Sequence, residues 1–132
     1  MTQQPDVEIY IKNVVLNDLA SWLAEVFSDT DIKLITNIKL DSPKPVTTHI
    51  SLDEQRIELM ITPRAAGKAY TSIWFKSQNT PWESDLVCAH SALTNMDTEV
   101  RCSAESYTES EEEFSEKWWK LTRDSKELVV WA

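Results

Sequence analysis

Apolar and polar residues alternate along several short stretches of the chain, with the two-residue period of a half-buried strand. The first such stretch carries Val7, Ile9 and Ile11 at every second position. The period then changes to helical spacing, which predicts an amphipathic helix with one apolar stripe. That stripe consists of Leu16, Leu19, Ala20, Leu23, Val26 and Phe27. The chain is therefore expected to open with a strand followed by a helix.

The middle third of the chain predicts an antiparallel meander. The stretch 31–40, DIKLITNIKL, is rich in β-formers but shifts its apolar register, as at a bulge or a bend. After the turn residues DSPKP, alternation resumes over 46–52, 57–61 and 69–75. The only glycine, Gly67, lies between the last two stretches, where a hairpin would use its positive φ.

A second helix and two further strand regions are predicted after the meander. In TPWE, Thr80 is suited to cap a helix, with Pro81 at its first position and Glu83 completing a capping box. The apolar stripe continues to about Met96, and alternation over 99–104 predicts a strand. Residues 105–117 contain six glutamates and one lysine and form an acidic connection. The final stretch, 118–131, flanks the turn residues RDSK with apolar runs, which indicates a C-terminal hairpin.

The order of these elements predicts one α+β domain over residues 1–132. The expected fold is a two-layer sandwich, in which an antiparallel sheet carries two helices on one face. Its core would be ferredoxin-like, in the order β-α-β-meander-α-β, with the C-terminal β-hairpin added.

The charge of the chain restricts its partners. Thirteen basic residues oppose 22 acidic ones, giving a net charge of −9, and neither half of the sequence is basic. Nucleic acids and anionic membranes attract lysine and arginine, so both are disfavoured, and a basic protein is the better-matched partner. The N-terminus does not read as a secretory signal and no long apolar run follows, so a cytoplasmic protein is expected.

Few residues point to catalysis. One glycine excludes glycine-rich phosphate loops, and the common catalytic motifs are missing from the sequence. Cys88, His90 and Cys102 form the nearest approach to a chemical cluster, but positions 88 and 90 of one helix point about 200° apart. We expect buried, reduced thiols and a solvent-facing His49, and we assign no catalytic residue, metal ligand or cofactor.

The second face of the meander is the more informative surface. Met60, Tyr70 and Trp74 share it with Arg56 and Lys76, and this face is too apolar to be wholly in water. We expect the C-terminal hairpin or a second copy of the chain to cover it; the alternative is a docking surface. RNA stacking on such a sheet is disfavoured, because the chain has no basic-aromatic string and its charge opposes phosphate.

Two functions remain open from the sequence. The first is a non-enzymatic protein-interaction module of inhibitor or immunity type, which would use carboxylates and aromatic anchors against a basic partner or in self-association. The second is a small-molecule-binding domain or enzyme with a pocket between sheet and helices or at a dimer seam, motivated by Cys88, His90, His49 and Trp82. The candidate partner-binding residues are Glu109, Glu111, Glu112, Glu113, Glu116, Trp118, Met60, Tyr70 and Trp74.

Overall fold

A computed structural model describes residues 6–77, 80–103 and 117–130 of the chain. These residues form seven strands and three short helices. The strands are β1 (Val7–Lys12), β2 (Val46–Leu52), β3 (Gln55–Thr62), β4 (Tyr70–Lys76), β5 (Val100–Ser103), β6 (Lys117–Leu121) and β7 (Lys126–Val130). The helices are α1 (Leu16–Val26), α2 (Ile32–Thr36) and α3 (Asp85–Leu93).

All seven strands belong to one antiparallel sheet, in the order β2-β3-β4-β1-β5-β6-β7. The first strand lies in the middle, with Ile9 opposite Ile73 of β4 and Ile11 opposite Val100 of β5. The expected two-layer sandwich with a ferredoxin-like core and two helices is therefore wrong. The reason is that the meander continues the sheet from one side of β1, while β5 pairs with the other side and the C-terminal hairpin continues the same sheet beyond β5. Strand pairing therefore dominates the architecture.

The stretch 31–40 is one place where the predicted strand is wrong. Residues 32–36 form α2, and the carboxylate of Asp31 accepts a hydrogen bond from the backbone N–H of Leu34 at 3.1 Å. Ile35 and Ile38 are the buried residues of this stretch. Ile35 lies within α2, and the N–H of Ile38, just beyond the helix, donates to the Ile35 carbonyl at 3.2 Å. The register shift in the sequence therefore marks a short helix and not a bulge.

The start of α3 also differs from the prediction. The helix begins at Asp85, and the hydroxyl of Ser84 accepts a hydrogen bond from the Val87 N–H at 3.3 Å. Thr80 lies outside the helix and donates to the Trp82 carbonyl instead. The segment before Ser84 carries the Trp82 ring into the core, 5.1 Å from the centroid of Phe75.

The core lies between the helices and one face of the sheet. Every second residue of β1, β3 and β4 is buried on this face, as the alternation predicts. All three helices contribute buried residues to the same apolar cluster. Burying each large side chain contributes about 1.5–3 kcal/mol, so the helices are held mainly by this face. The members with the largest fully buried side chains are Trp22, Phe75, Ile9, Ile11, Leu19 and Leu23.

The C-terminal hairpin does not fold back over the sheet. Strand β6 pairs with β5, with Cys102 opposite Trp119, and β7 forms the outer edge. The hairpin strands are thus confirmed, but the expectation that the hairpin covers the second face of the meander is wrong. Because the hairpin lengthens the sheet, it enlarges that face.

Candidate functional site

The sheet face opposite the core, here called the open face, carries a band of large side chains. The register places Met60 of β3 beside Trp74 of β4, and Tyr70 on the same face of β4, as predicted. Tyr10 of β1 and Trp118 of β6 extend the band toward the hairpin. All five side chains are half-buried. In the part of the chain that the structure describes, the helices contribute their buried residues to the other face.

Neighbouring groups hold the rings of the open face in fixed orientations. The indole N–H of Trp74 donates to a carboxylate oxygen of Asp6 at 3.1 Å. The ammonium of Lys76 lies 4.4 Å from the centre of the Trp74 ring, within the range of a cation–π contact. The rings of Tyr10 and Trp118 meet edge to face at 5.5 Å. Side chains with fixed orientations lose less conformational entropy when a partner binds.

The Glu99 cluster lies at one end of the open face, directly before β5. The Glu99 carboxylate accepts hydrogen bonds from the Tyr70 hydroxyl at 2.5 Å and from Arg101 Nε at 2.6 Å. Burial alone would raise the pKa of Glu99, but these bonds and the charges of Arg101 and Lys12 outweigh it and lower the pKa. Burial, with the bond to Glu99, raises the pKa of Tyr70 to about 12. At neutral pH the cluster is therefore a charged carboxylate held by donors.

A second hydrogen-bonded carboxylate, that of Glu8, lies near the middle of the open face. Ser72 donates to the Glu8 carboxylate at 2.6 Å. Burial raises the pKa of Tyr10 to about 12, and the charge of Glu8 adds to the shift. A phenol with this pKa stays protonated at neutral pH, so neither tyrosine of the band is a general base there.

The cysteine and histidine residues singled out in the sequence do not converge on one site. Cys88 and Cys102 are free and buried, and burial raises both thiol pKa values, that of Cys102 to about 12. His90 is exposed on α3, and His49 is exposed on β2, on the same side of the sheet as the open face. Among the described residues, no group of three or more His, Cys, Asp or Glu side chains is arranged to hold a metal ion. The low reactivity of the thiols stays a prediction for labelling of the native protein.

The acidic candidates lie outside the described residues. These are Glu109, Glu111, Glu112, Glu113 and Glu116. The ends of their segment are described, however: Ser103 closes β5 and lies opposite Trp118 in β6. The strands that flank the glutamate-rich connection in the sequence are thus paired with each other, and Trp118 belongs to the open face.

Sequence reasoning missed Tyr10, Glu99 and Arg101 as members of this surface. The alternation in β1 and β5 does place Tyr10 and Arg101 away from the core, so a signal for their face was present. Their position beside Tyr70 depends on β1 lying between β4 and β5, which local patterns do not encode.

None of the three helices in the described ranges is long and apolar enough to cross a membrane. Comparison of the chain with protein-family models, with curated proteins and with solved structures finds no match in any of the three. The residues of the open face and the charge of the chain are therefore the features that bear on function.

Proposed function

We propose that this protein is a non-enzymatic interaction module, of inhibitor or immunity type, that binds a basic protein through the open face. The single observation that carries the proposal is the band of half-buried aromatic and apolar side chains across four strands, held in place by hydrogen bonds and ring contacts. Clusters of this kind are typical of protein interfaces, where rigid aromatic side chains act as anchors.

Charge supports a basic partner. The chain carries −9, and six of its glutamates belong to the connection between β5 and β6. A negative field of this kind accelerates encounter with a positively charged protein and weakens with salt.

The aromatic rings supply a second reason for a basic partner. In the described residues, Arg101 lies 5.3 Å from the centre of the Tyr70 ring, and Lys76 lies over Trp74 in the same manner. The face is thus built from rings that contact cations, and arginine or lysine side chains of a partner would find the same chemistry at its margin. Glu8 and Glu99 accept hydrogen bonds from neighbouring side chains, and the raised pKa values of Tyr10 and Tyr70 keep both phenols protonated at neutral pH. Such groups fit a binding surface better than a reaction centre.

Affinity capture with matched variants tests this proposal. Met60→Gln removes an apolar contact from the open face without changing charge, and Val87→Gln makes the same kind of change at an exposed position of α3. Trp118→Ser serves as a second open-face variant. Wild-type protein and Val87→Gln should recover the same basic protein from a native cell extract at low salt, and less of it at high salt. Both open-face variants should recover less.

Circular dichroism and thermal unfolding first establish that the variants are folded. The proposal is overturned if no salt-sensitive partner is recovered by the wild-type protein. It is equally overturned if Met60→Gln and Trp118→Ser retain the partner as well as Val87→Gln does.

A further inference from the structure

Strand β2 forms one edge of the sheet, and part of its backbone points away from its neighbour β3. At its far end, Ser51 exchanges two backbone hydrogen bonds with Ser28, at 2.8 and 2.9 Å, so the peptide groups of Ser51 face outward. Because an antiparallel ladder alternates every two residues, the N–H and C=O groups of Thr47 and His49 face the same way. Among the described residues, no backbone group bonds to these outward groups of Thr47 and His49.

The composition of this edge does not protect it from pairing. Residues 46–52, VTTHISL, contain no proline, lysine, arginine, aspartate or glutamate, which are the residues that blunt sheet edges. The opposite edge differs, since β7 begins with Lys126 and Glu127. Apart from the end held by Ser28, β2 therefore offers a template for one more strand.

A surface cleft of about 770 Å³ lies beside the start of β2. Val46, the first residue of the strand, lines it together with Leu34 and Ile38. Lys33, Lys39 and Lys44 also line it, against one carboxylate, that of Asp31. The chain has a net charge of −9, but the three lysines and one aspartate give this cleft a positive local charge.

We propose that β2 accepts an extended acidic segment of a partner protein as an additional strand. The backbone of the segment would pair with Thr47 and His49, and its carboxylates would lie near Lys33, Lys39 and Lys44. Strand addition derives affinity from main-chain hydrogen bonds and specificity from side chains that enter neighbouring pockets. The lysines favour an acidic segment over a basic one. Because the side chains of a strand alternate between the two faces of the sheet, the residues between the carboxylates would point away from the cleft. This site is separate from the open face and does not depend on the function proposed there.

Three synthetic peptides and the labelled protein test the site. The probe is a fluorescent nine-residue peptide in which glutamate alternates with valine and threonine. One control peptide carries lysine in place of each glutamate, and the other keeps the acidic sequence but has N-methylated backbone amides. Fluorescence anisotropy measures affinity, and amide NMR of the ¹⁵N-labelled protein locates the peptide.

The acidic peptide should shift the amide resonances of Thr47 and His49 and protect them from hydrogen exchange. N-methylation should abolish binding, since it removes the donors of the added strand. Three exposed ion pairs together correspond to about tenfold in affinity, so the lysine peptide should bind at least that much more weakly. The triple change Lys33→Gln, Lys39→Gln and Lys44→Gln should weaken the acidic peptide by a similar factor. The matched variant Lys126→Gln, at the opposite edge, should not.

Either of two results would overturn the proposal. The first is an acidic peptide that leaves Thr47 and His49 unmoved at about 1 mM, or that binds no better than its lysine counterpart. The second is a dimer in sedimentation analysis of the protein alone, with these two amides already protected, because the occupant of the edge would then be a second copy of this chain.

Discussion

Replacing Ser91 with alanine should destabilise the protein, because it removes the acceptor of a buried indole N–H. Trp22 of α1 is 1% exposed, and its Nε1 donates to the Ser91 hydroxyl of α3 at 3.0 Å. The indole ring is also stacked on Trp82, with centroids 5.5 Å apart. Packing therefore prevents the ring from turning its N–H toward water.

The size of the effect follows from two opposing contributions. A buried donor that loses its acceptor costs about 1–3 kcal/mol. Alanine has a higher helix propensity than serine, which returns about 0.5 kcal/mol in α3. The free energy of unfolding should thus fall by about 0.5–2.5 kcal/mol in Ser91→Ala.

Urea unfolding followed by circular dichroism measures this loss. Ser21→Ala, at an exposed position of α1, is the matched control, since it gains helix propensity and breaks no side-chain bond to another helix. In a Trp22→Phe background, which has no indole donor, Ser91→Ala should cost much less than in the wild type. A Ser91→Ala protein as stable as Ser21→Ala, or an equal loss in both backgrounds, would refute the reasoning.

The α3 cap, a hairpin turn and the Glu99 cluster each carry a further expectation. In urea unfolding, Ser84→Ala should lower the free energy of unfolding by about 1 kcal/mol and Thr80→Ala by under about 0.5 kcal/mol. A larger loss in Thr80→Ala than in Ser84→Ala would show that Thr80 caps the helix. Glu54 has φ 69°, so Glu54→Gly should stabilise by about 0.5 kcal/mol, and a lower melting temperature would contradict strain there. The pKa of Glu99 is lower in the folded protein than its value near 4.5 in the unfolded chain, so the charged carboxylate stabilises the fold at pH above about 4.5. This stability is lost as the pH falls through the folded-state pKa. Tyr70→Phe, which removes one donor, should therefore reduce the acid dependence of the unfolding free energy between about pH 6 and pH 3, and an unchanged slope would count against the cluster.

Local alternation in the sequence was enough to locate most strands. It placed β1, the three meander strands and β5, because these strands turn alternate residues toward the core. The two hairpin strands were located instead by the apolar runs that flank the turn residues RDSK. It also assigned Met60, Tyr70 and Trp74 to the face away from the helices, which the register confirms. The turn at Gly67 was also predicted from the sequence, because a positive φ favours glycine, and its φ is 80°.

The assembly of the sheet was beyond local patterns. The pairing of β1 with both β4 and β5 depends on contacts between residues far apart in the chain, and so does the attachment of the hairpin to β5. The short helix α2 was missed because its apolar residues are compatible with both periods over so few positions. The site was consequently predicted in part: the meander residues were found, whereas Glu99 and Arg101 required the central position of β1.

The central position of β1 also bears on how the protein is made. A ribosome adds about 5–20 residues per second, so Val100 of β5, the partner residue of Ile11, is synthesised roughly 4–18 s after Ile11 itself. During that interval one side of β1 has no strand to pair with. The apolar residues of β1 also lack part of their packing surface, because α3 has not yet been synthesised in full. Folds dominated by such distant pairings form slowly, in milliseconds to seconds. The apolar face of β1 therefore cannot be fully buried until α3 and β5 have left the exit tunnel.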